Sequence, residues 1–303
     1  MKINRLFTHS GAFHADEVMA IAIIKMIATV MTILRVRELP QDFEVGSDIA
    51  VDVGSKQDPA KGMFDHHQKG GSEDNFAATG KVWAFFGTAL CQSHQVADRV
   101  YLTLLGSIDR ADIGISDWTP VREEWRHLGA SAFIASMNPP FGCSKEESDA
   151  AFEAAVTACS FALKGAIENA KTFCRMQDVI AKAEQPFKEV IILSEGGPWQ
   201  EHVVGNSNYD QILYVIFPSD RGGFQLQCVP PQAGSFGQRK PLPVEWAGLR
   251  GQELADVVGS DFEIGSSLFC HPGRFIAGAM NLQDTIWLAE FAVESSDMPL
   301  AFP

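Results

Sequence analysis

The stretch Phe64-Asp65-His66-His67-Gln68 places the tightest limit on what this chain can fold into. A carboxylate beside two imidazoles suits Mn, Fe, Co or Zn better than Mg or Ca, which prefer all-oxygen shells. Neighbouring side chains on an extended segment point opposite ways, so one histidine can face a metal while the other supports it or meets a substrate. The run follows the apolar pair Met63-Phe64. That places it at the C-terminal end of a buried strand, where open α/β sheets bind their ligands. Taken alone, two adjacent histidines are also ordinary surface-loop residues. The weight of the motif comes from the other junctions that repeat its chemistry.

The first of these is near the start. Residues 5–9 read as a strand ending in His9, and the loop Ser10-Gly11-Ala12-Phe13 leads to His14-Ala15-Asp16-Glu17. A helix opens there, with an apolar body from Val18 to about Met31. Acidic residues in a first turn suit the helix dipole, but the dipole does not account for the histidines on either side of the glycine loop. Ile33 to Arg37 reads as a second strand, with Arg35 and Arg37 on one face as a solvated edge, a phosphate site or an ion pair. Asp48 to Gly54 reads as a short apolar strand ending in Asp52, a turn residue or a site residue. Helices are expected over 79–89 and 95–105, with Asp109 and Asp112 three apart just beyond. A doubly wound sheet gathers such junctions at one edge. Each residue has a bland explanation by itself, but four junctions all supplying His or Asp argue for a two-metal centre with mixed N/O ligands.

The rest of the chain changes character. Residues 118–142 read as irregular, with a turn at Asn138-Pro139-Pro140-Phe141-Gly142. Residues 144–183 read as a long alanine-rich helix that Ser144 and Glu147 can cap. From Phe187 the pattern is β-rich, with strands over 189–193, 211–217 and 224–229, a helix over 251–258 and a last amphipathic helix over 281–293. The expected organisation is a metal-binding catalytic domain at 1–125, a helical connector at 126–185 and a substrate-binding domain at 186–303.

Composition narrows the function. A net charge of −14 argues against extensive duplex binding, which needs clustered Lys and Arg. It leaves room for a short strand in a local basic groove. The six cysteines contain no Cys-x-x-Cys pair and read as reduced and mostly buried. No signal-peptide pattern opens the chain and no stretch reads as a membrane span, so the expected location is the cytoplasm, with no membrane partner.

The segments His9 to Glu17, Val51-Asp52-Val53-Gly54, Phe64 to Gln68 and Ile108-Asp109 resemble the motif set of the MYG1 family (UPF0160) in order and spacing. In the second half, Phe236 to Pro243, Trp246 to Leu249 and Phe269 to Gly278 also resemble it. That family is similar to the wider DHH phosphoesterase superfamily. The resemblance implies an α/β fold: a DHH-type doubly wound, mainly parallel sheet domain, and a smaller α+β C-terminal domain closing over a cleft. It implies a 3′–5′ exonuclease on RNA or short oligonucleotides. By analogy with manganese-dependent pyrophosphatases of the superfamily, one metal would use His9, His14 and Asp52. The second would use Asp16, Asp52, His66 and Asp109, with Asp52 bridging. The implied cofactor is a pair of divalent ions, Mn²⁺ first, with Mg²⁺, Co²⁺ or Zn²⁺ as alternatives.

His14 stands where other DHH branches place an aspartate, which lowers the charge of the first site. Arg35-Val36-Arg37-Glu38 and Ile113 also depart from the family pattern.

Asp65 and His67 are expected to handle protons, with His67 the nearer to substrate. His271 with Gly273 and Arg274 would hold phosphate or the terminal nucleotide, and Arg239 and Lys240 are further basic candidates or a solvated face. The expected partners are single-stranded RNA, a short oligonucleotide or a small phosphoester, together with a second copy of the chain as a homodimer. Two rival readings stand beside the exonuclease: a hydrolase of a small phosphorylated metabolite or cyclic dinucleotide, and a metal-binding protein without catalysis that retains the fold.

Overall fold

The structure is a computed structural model that describes residues 2–116, 118, 119, 122, 129–259 and 261–296. The chain divides into two compact units, Met1–Lys171 and Thr172–Pro303. The division falls inside one long helix. The expected border at 125/126 lies outside the described residues.

The first unit is built on a four-stranded sheet of order β2-β1-β3-β4. Its strands are β1 (Lys2–His9), β2 (Thr29–Val36), β3 (Asp48–Val51) and β4 (Met63–Phe64). Every neighbouring pair is parallel, with Phe7 opposite Leu34 and Ala50, and Val51 opposite Phe64. All carboxyl ends therefore lie along one edge. The chain passes from β1 out to β2 and then back to β3 on the other side, so the strand order reverses between β1 and β3. Such a reversal opens a crevice at the carboxyl ends. Arg5 ties β1 to β3 through Asp48, with Nε to Oδ2 at 3.1 Å and Nη2 to Oδ2 at 2.6 Å.

Helix α1 (Ala15–Ile27) follows β1 and is buried all round from Ala15 to Ile24, as an apolar-faced core helix should be. It is shorter than the sequence predicts. The apolar run does not stop at Ile27, but the β-branched Thr29, Val30, Thr32 and Ile33 carry it into a strand. Helices α2 (Ala78–Cys91), α3 (His94–Val100) and α4 (Gly106–Asp112) follow, α3 and α4 being joined by a π-turn at Tyr101–Leu105. A short α5 (Ala130–Ala135) precedes the long α6 (Lys145–Ala181).

The start of α6 is capped as expected, Ser144 N–H donating to Glu147 Oε2 and Glu147 N–H to Ser144 Oγ. Phe152, Val156, Cys159, Leu163, Ile167 and Ala170 are buried along it at spacings of three and four. Those spacings are those of a core-facing stripe. The helix is also long and apolar enough to match a membrane span by length and composition.

The second unit carries a mixed six-stranded sheet of order β5-β6-β7-β8-β10-β9. The strands are β5 (Glu184–Phe187), β6 (Val190–Ile192), β7 (Tyr214–Pro218), β8 (Phe224–Cys228), β9 (Phe269–Cys270) and β10 (Ile276–Ala279). Alternation divides its core. Val190, Ile192, Tyr214 and Ile216 face a cluster with Leu254 of α8 (Gly251–Val258) and Leu288 of α9 (Leu282–Glu294). Ile191, Val215 and Phe217 face the opposite cluster, with Met176, Ile180 and Trp199. Val203 of the short α7 (Gln200–Val203) belongs to that second cluster. All six cysteines are free and four are buried.

Candidate metal centre

The carboxyl edge of the first sheet delivers the side chains. His9 is the last residue of β1, Asp52 follows β3, and Asp65, His66 and His67 follow β4. Across the crevice, His14 precedes α1, Asp16 and Glu17 lie in its first turn, and Asp112 ends α4. These residues form three overlapping groups whose ligand atoms lie within 4.8 Å of one another: His9, His14, Glu17 and Asp52; Asp52, His66 and His67; and His14, Asp16 and Asp112. Asp52 and His14 each belong to two of them.

The distances define the cluster. His9 Nε2 is 2.8 Å from Glu17 Oε1 and 3.5 Å from Asp52 Oδ2. His67 Nδ1 is 3.2 Å from Asp52 Oδ1 and 2.9 Å from Asp65 Oδ1. His66 Nε2 is 3.2 Å from Asp112 Oδ2, and its Nδ1 is 3.8 Å from Asp52 Oδ1. The His66 and His67 rings stack at 4.3 Å. Asp52 has φ +55°, a left-handed conformation that non-glycine residues rarely adopt and that collects at functional sites. Its amide still bonds Phe64 O at 2.9 Å, so the strand pairing of β3 with β4 reaches Asp52 itself.

The charges are not balanced by protein alone. Asp16 and Glu17 have no exposed surface and Asp52 is 4% exposed. Burial, and then the charges of Asp52, Glu17 and Asp112, push the Asp16 carboxyl well above the usual carboxylate range. Burial works against a charged His9, yet the hydrogen bond and charge of Glu17, with Asp52, lift its imidazole to about 9. His67 is lifted to about 9 by its hydrogen bond to Asp52, which overcomes burial with help from Asp65. Burial would raise Asp65, but the His67 amide and ring and the Ser55 amide hold it below its ordinary value. Asp16 Oδ1, Glu17 Oε2 and His66 Nδ1 are buried without a hydrogen-bond partner. Buried polar atoms without partners are costly. Divalent cations of mixed N/O preference would give such atoms partners and offset the carboxylate charge. The residues therefore fit a divalent metal ion.

Of the eight first-half candidates, the structure brings His9, His14, Asp16, Asp52, His66 and His67 into these groups. Asp65 stands behind them, holding His67. Asp109 is elsewhere: its Oδ1 accepts from Ala77 N–H at 3.2 Å and Gly80 N–H at 2.8 Å, and its Oδ2 from the Tyr101 hydroxyl at 3.0 Å. Asp109 thus closes the N-terminus of α2, and burial first of all pushes its carboxyl to about 6. Gly80 is required there, because a side chain would collide with that carboxylate. Glu17 and Asp112 enter the groups without having been assigned as ligands from sequence. Glu17 reads as a helix-start residue and does accept the His14 amide at 2.8 Å, which hides its second role. The signal for Asp112 is its spacing of three from Asp109.

The second unit holds the remaining candidates. Arg239 Nη1 donates to Tyr209 O at 2.6 Å and Ile212 O at 2.9 Å. Lys240 Nζ donates to Val293 O and Ser295 O, both at 2.7 Å, at the end of α9. These two cations are committed to main-chain carbonyls. His271 Nδ1 accepts from Gly273 N–H at 3.0 Å, and Arg274, at φ +56°, donates to Leu242 O at 3.1 Å. Phe236, Arg239, Gly273, Arg274 and Phe275 line a cavity of about 1,030 Å³.

A family model described as uncharacterised protein family UPF0160, the MYG1 exonuclease model, matches residues 5–293. The bovine protein named MYG1 exonuclease is 27% identical, covering 99% of this chain and 87% of the relative. The human MYG1 exonuclease is 26% identical over 94% and 84%, and the Saccharomyces cerevisiae MYG1 protein is 27% identical over 95% of each chain. No solved structure is significantly matched.

Proposed function

From the premise that this chain belongs to the MYG1 (UPF0160) family, we propose that it is a metal-dependent phosphodiesterase, a 3′–5′ exonuclease on RNA or short oligonucleotides. The observation that carries the proposal is Asp52, a buried carboxylate shared by two ligand groups at the sheet's switch point. One carboxylate serving two groups is the arrangement expected of a bridging ligand. On this reading the parallel sheet is a DHH-type domain. His9, His14, Glu17 and Asp52 would hold one divalent ion, and Asp52 with His66 would hold the other. Asp16 and Asp112 complete the acidic wall beside His14. Mn²⁺ is the ion that best suits this mixture of imidazole and carboxylate.

Bound there, divalent ions stabilise charge on phosphoryl oxygens and lower the pKa of a water. The chain's own residues do the rest. His67 is half-exposed, and Asp65 fixes its Nδ1, which leaves Nε2 to pass a proton to the departing oxygen. Asp65 is buried and its amide and ring contacts hold it ionised, so the His67 ring is oriented before substrate arrives. Phosphoryl transfer asks chiefly for such positioning and electrostatics. In the second unit, His271 and the Gly273-Arg274 turn would hold a phosphate.

The net charge of −14 and the commitment of Arg239 and Lys240 to carbonyls favour a second reading, a small phosphoester. One assay separates them. Single-stranded RNA labelled at its 5′ end is incubated with the Mn²⁺-loaded protein, beside an Asp52→Asn, His66→Ala double variant. Stepwise shortening that the variant loses supports the exonuclease. No cleavage by the metal-loaded protein removes RNA as substrate and moves the test to dinucleotides and small phosphoesters.

A further inference from the structure

We propose that the cavity beside the His9–His14 loop is a nucleobase subsite, with Phe141 as its stacking platform. This rests on the exonuclease reading and specifies where the terminal nucleotide of the strand would lie. The cavity measures about 630 Å³ and belongs wholly to the first unit. That volume falls within the roughly 300–1,000 Å³ common for small-ligand sites. One wall is the main chain of Ser10, Gly11 and Ala12, whose two ends carry the candidate ligands His9 and His14. A base held here would be next to the proposed point of cleavage.

The opposite wall is the loop from Asn138 to Gly142, and it is built to be rigid. Asn138 Oδ1 accepts from Phe13 N–H and its Nδ2 donates to Phe13 O, each at 2.8 Å. This reciprocal pair clamps the wall to the residue before His14. Pro139 and Pro140 fix the next two φ angles. They present Phe141, which is fully exposed at 110% relative accessibility. An aromatic ring held out by a stiff, anchored loop keeps its face free for a partner, and base stacking on such a ring is tolerant of sequence.

The third wall is charged. The Arg35 side chain is only 6% exposed. Its guanidinium is held by the Ser148 hydroxyl at 2.8 Å, by Gly11 O and by Asp149 Oδ1 at 3.4 Å, and lies over the Phe152 ring at 4.8 Å. Its Nε is buried with no hydrogen-bond partner. Lys145 is exposed and adds a second cation; it and Arg35 share the carboxylate of Asp149, so the wall keeps one net positive charge. An aromatic face beside a net positive charge suits a nucleotide, whose base stacks and whose phosphate is anionic.

The test compares two short RNAs, one intact and one abasic at its 3′-terminal residue, in the full-length Mn²⁺-loaded protein. Wild type should favour the intact strand in kcat/KM by about tenfold, the scale of one base–aromatic stack. The difference should lie in KM. Phe141→Ala should bring the ratio near unity, and Phe141→Trp should keep it. In parallel, equilibrium dialysis compares AMP with ribose 5-phosphate, which needs no hydrolysis. Cleavage without a base preference, or a preference that survives Phe141→Ala, overturns the subsite and leaves the exonuclease standing. AMP retained over ribose 5-phosphate through Phe141, with no RNA cleaved, removes the exonuclease and keeps the base site. Equal retention of the two ligands with no cleavage overturns both.

Discussion

Replacing Asp52 by Asn and by Ala separates its two roles, as a carboxylate and as a left-handed backbone position. Asn tolerates φ +55° well, whereas Ala in that conformation costs about 1–2 kcal/mol. The first unit spans Met1–Lys171. For a domain of that size, 1 kcal/mol moves Tm by roughly 2–4 °C. Metal at a hundred times its Kd stabilises the folded state by about 2.7 kcal/mol, or roughly 5–11 °C.

Wild-type protein melted in EDTA and then with excess Mn²⁺ should therefore rise by that amount. Asp52→Asn removes charge from two ligand groups at once, so its rise should fall below roughly 2 °C. Without metal it should melt no lower than wild type. The mutation relieves repulsion with the buried Asp16 and Glu17, while His9 keeps Glu17 and His67 keeps Asp65. Asp52→Ala should lose the metal response equally and melt roughly 2–8 °C lower without metal, from the backbone term alone. Calorimetry reads each of these values. An Asn variant with the full metal response would refute the bridging role of Asp52, and an Asn variant as unstable as Ala would refute the separation of the two effects.

Asn138→Ala leaves the Phe13 N–H and C=O without their partners, so the first unit should lose about 1–3 kcal/mol in a denaturant melt. Mn²⁺ affinity, read by titration, should weaken with it because His14 is the next residue. Asp109→Asn should flatten one stretch of the stability–pH curve. The folded carboxyl is raised to about 6, so its contribution is complete below the unfolded value of 3.8 and is lost as pH rises through 6. The Asn variant should match wild type near pH 4 and exceed it above pH 6; equal slopes would show that Asp109 titrates normally. Arg239→Ala should cost the second unit about 1.5–3 kcal/mol, through the carbonyls of Tyr209 and Ile212. Thermal melts check this, and a variant of wild-type stability would return Arg239 to the list of substrate groups.

Much of the first unit is legible in the sequence because its strands are short apolar runs, each ending in a polar residue with a reason to be there. His9, Asp52 and Asp65 mark three strand ends within a residue, and the sheet aligns them. The boundary between α1 and β2 is not legible from polarity, since Ile24 to Leu34 stays mostly apolar across both; only the β-branched residues after Ala28 mark the change. The ligand groups are legible in chemistry more than in detail. Asp109 and Asp112 are equivalent by spacing, and what distinguishes them is the N-terminus of α2, a helix some thirty residues earlier that claims Asp109. Glu17 is masked by its local duty to the His14 amide. In the second unit, no pattern along the chain could show that Lys240 closes the end of α9, because that contact spans 53 residues to Val293.

The most direct measurement is anomalous X-ray scattering from crystals of the Mn²⁺-loaded protein, collected on either side of the manganese edge. The account predicts anomalous density in contact with Asp52, with His9 and Glu17 on one side and His66 on the other. Density at neither side of Asp52, with manganese bound elsewhere or not at all, would contradict it.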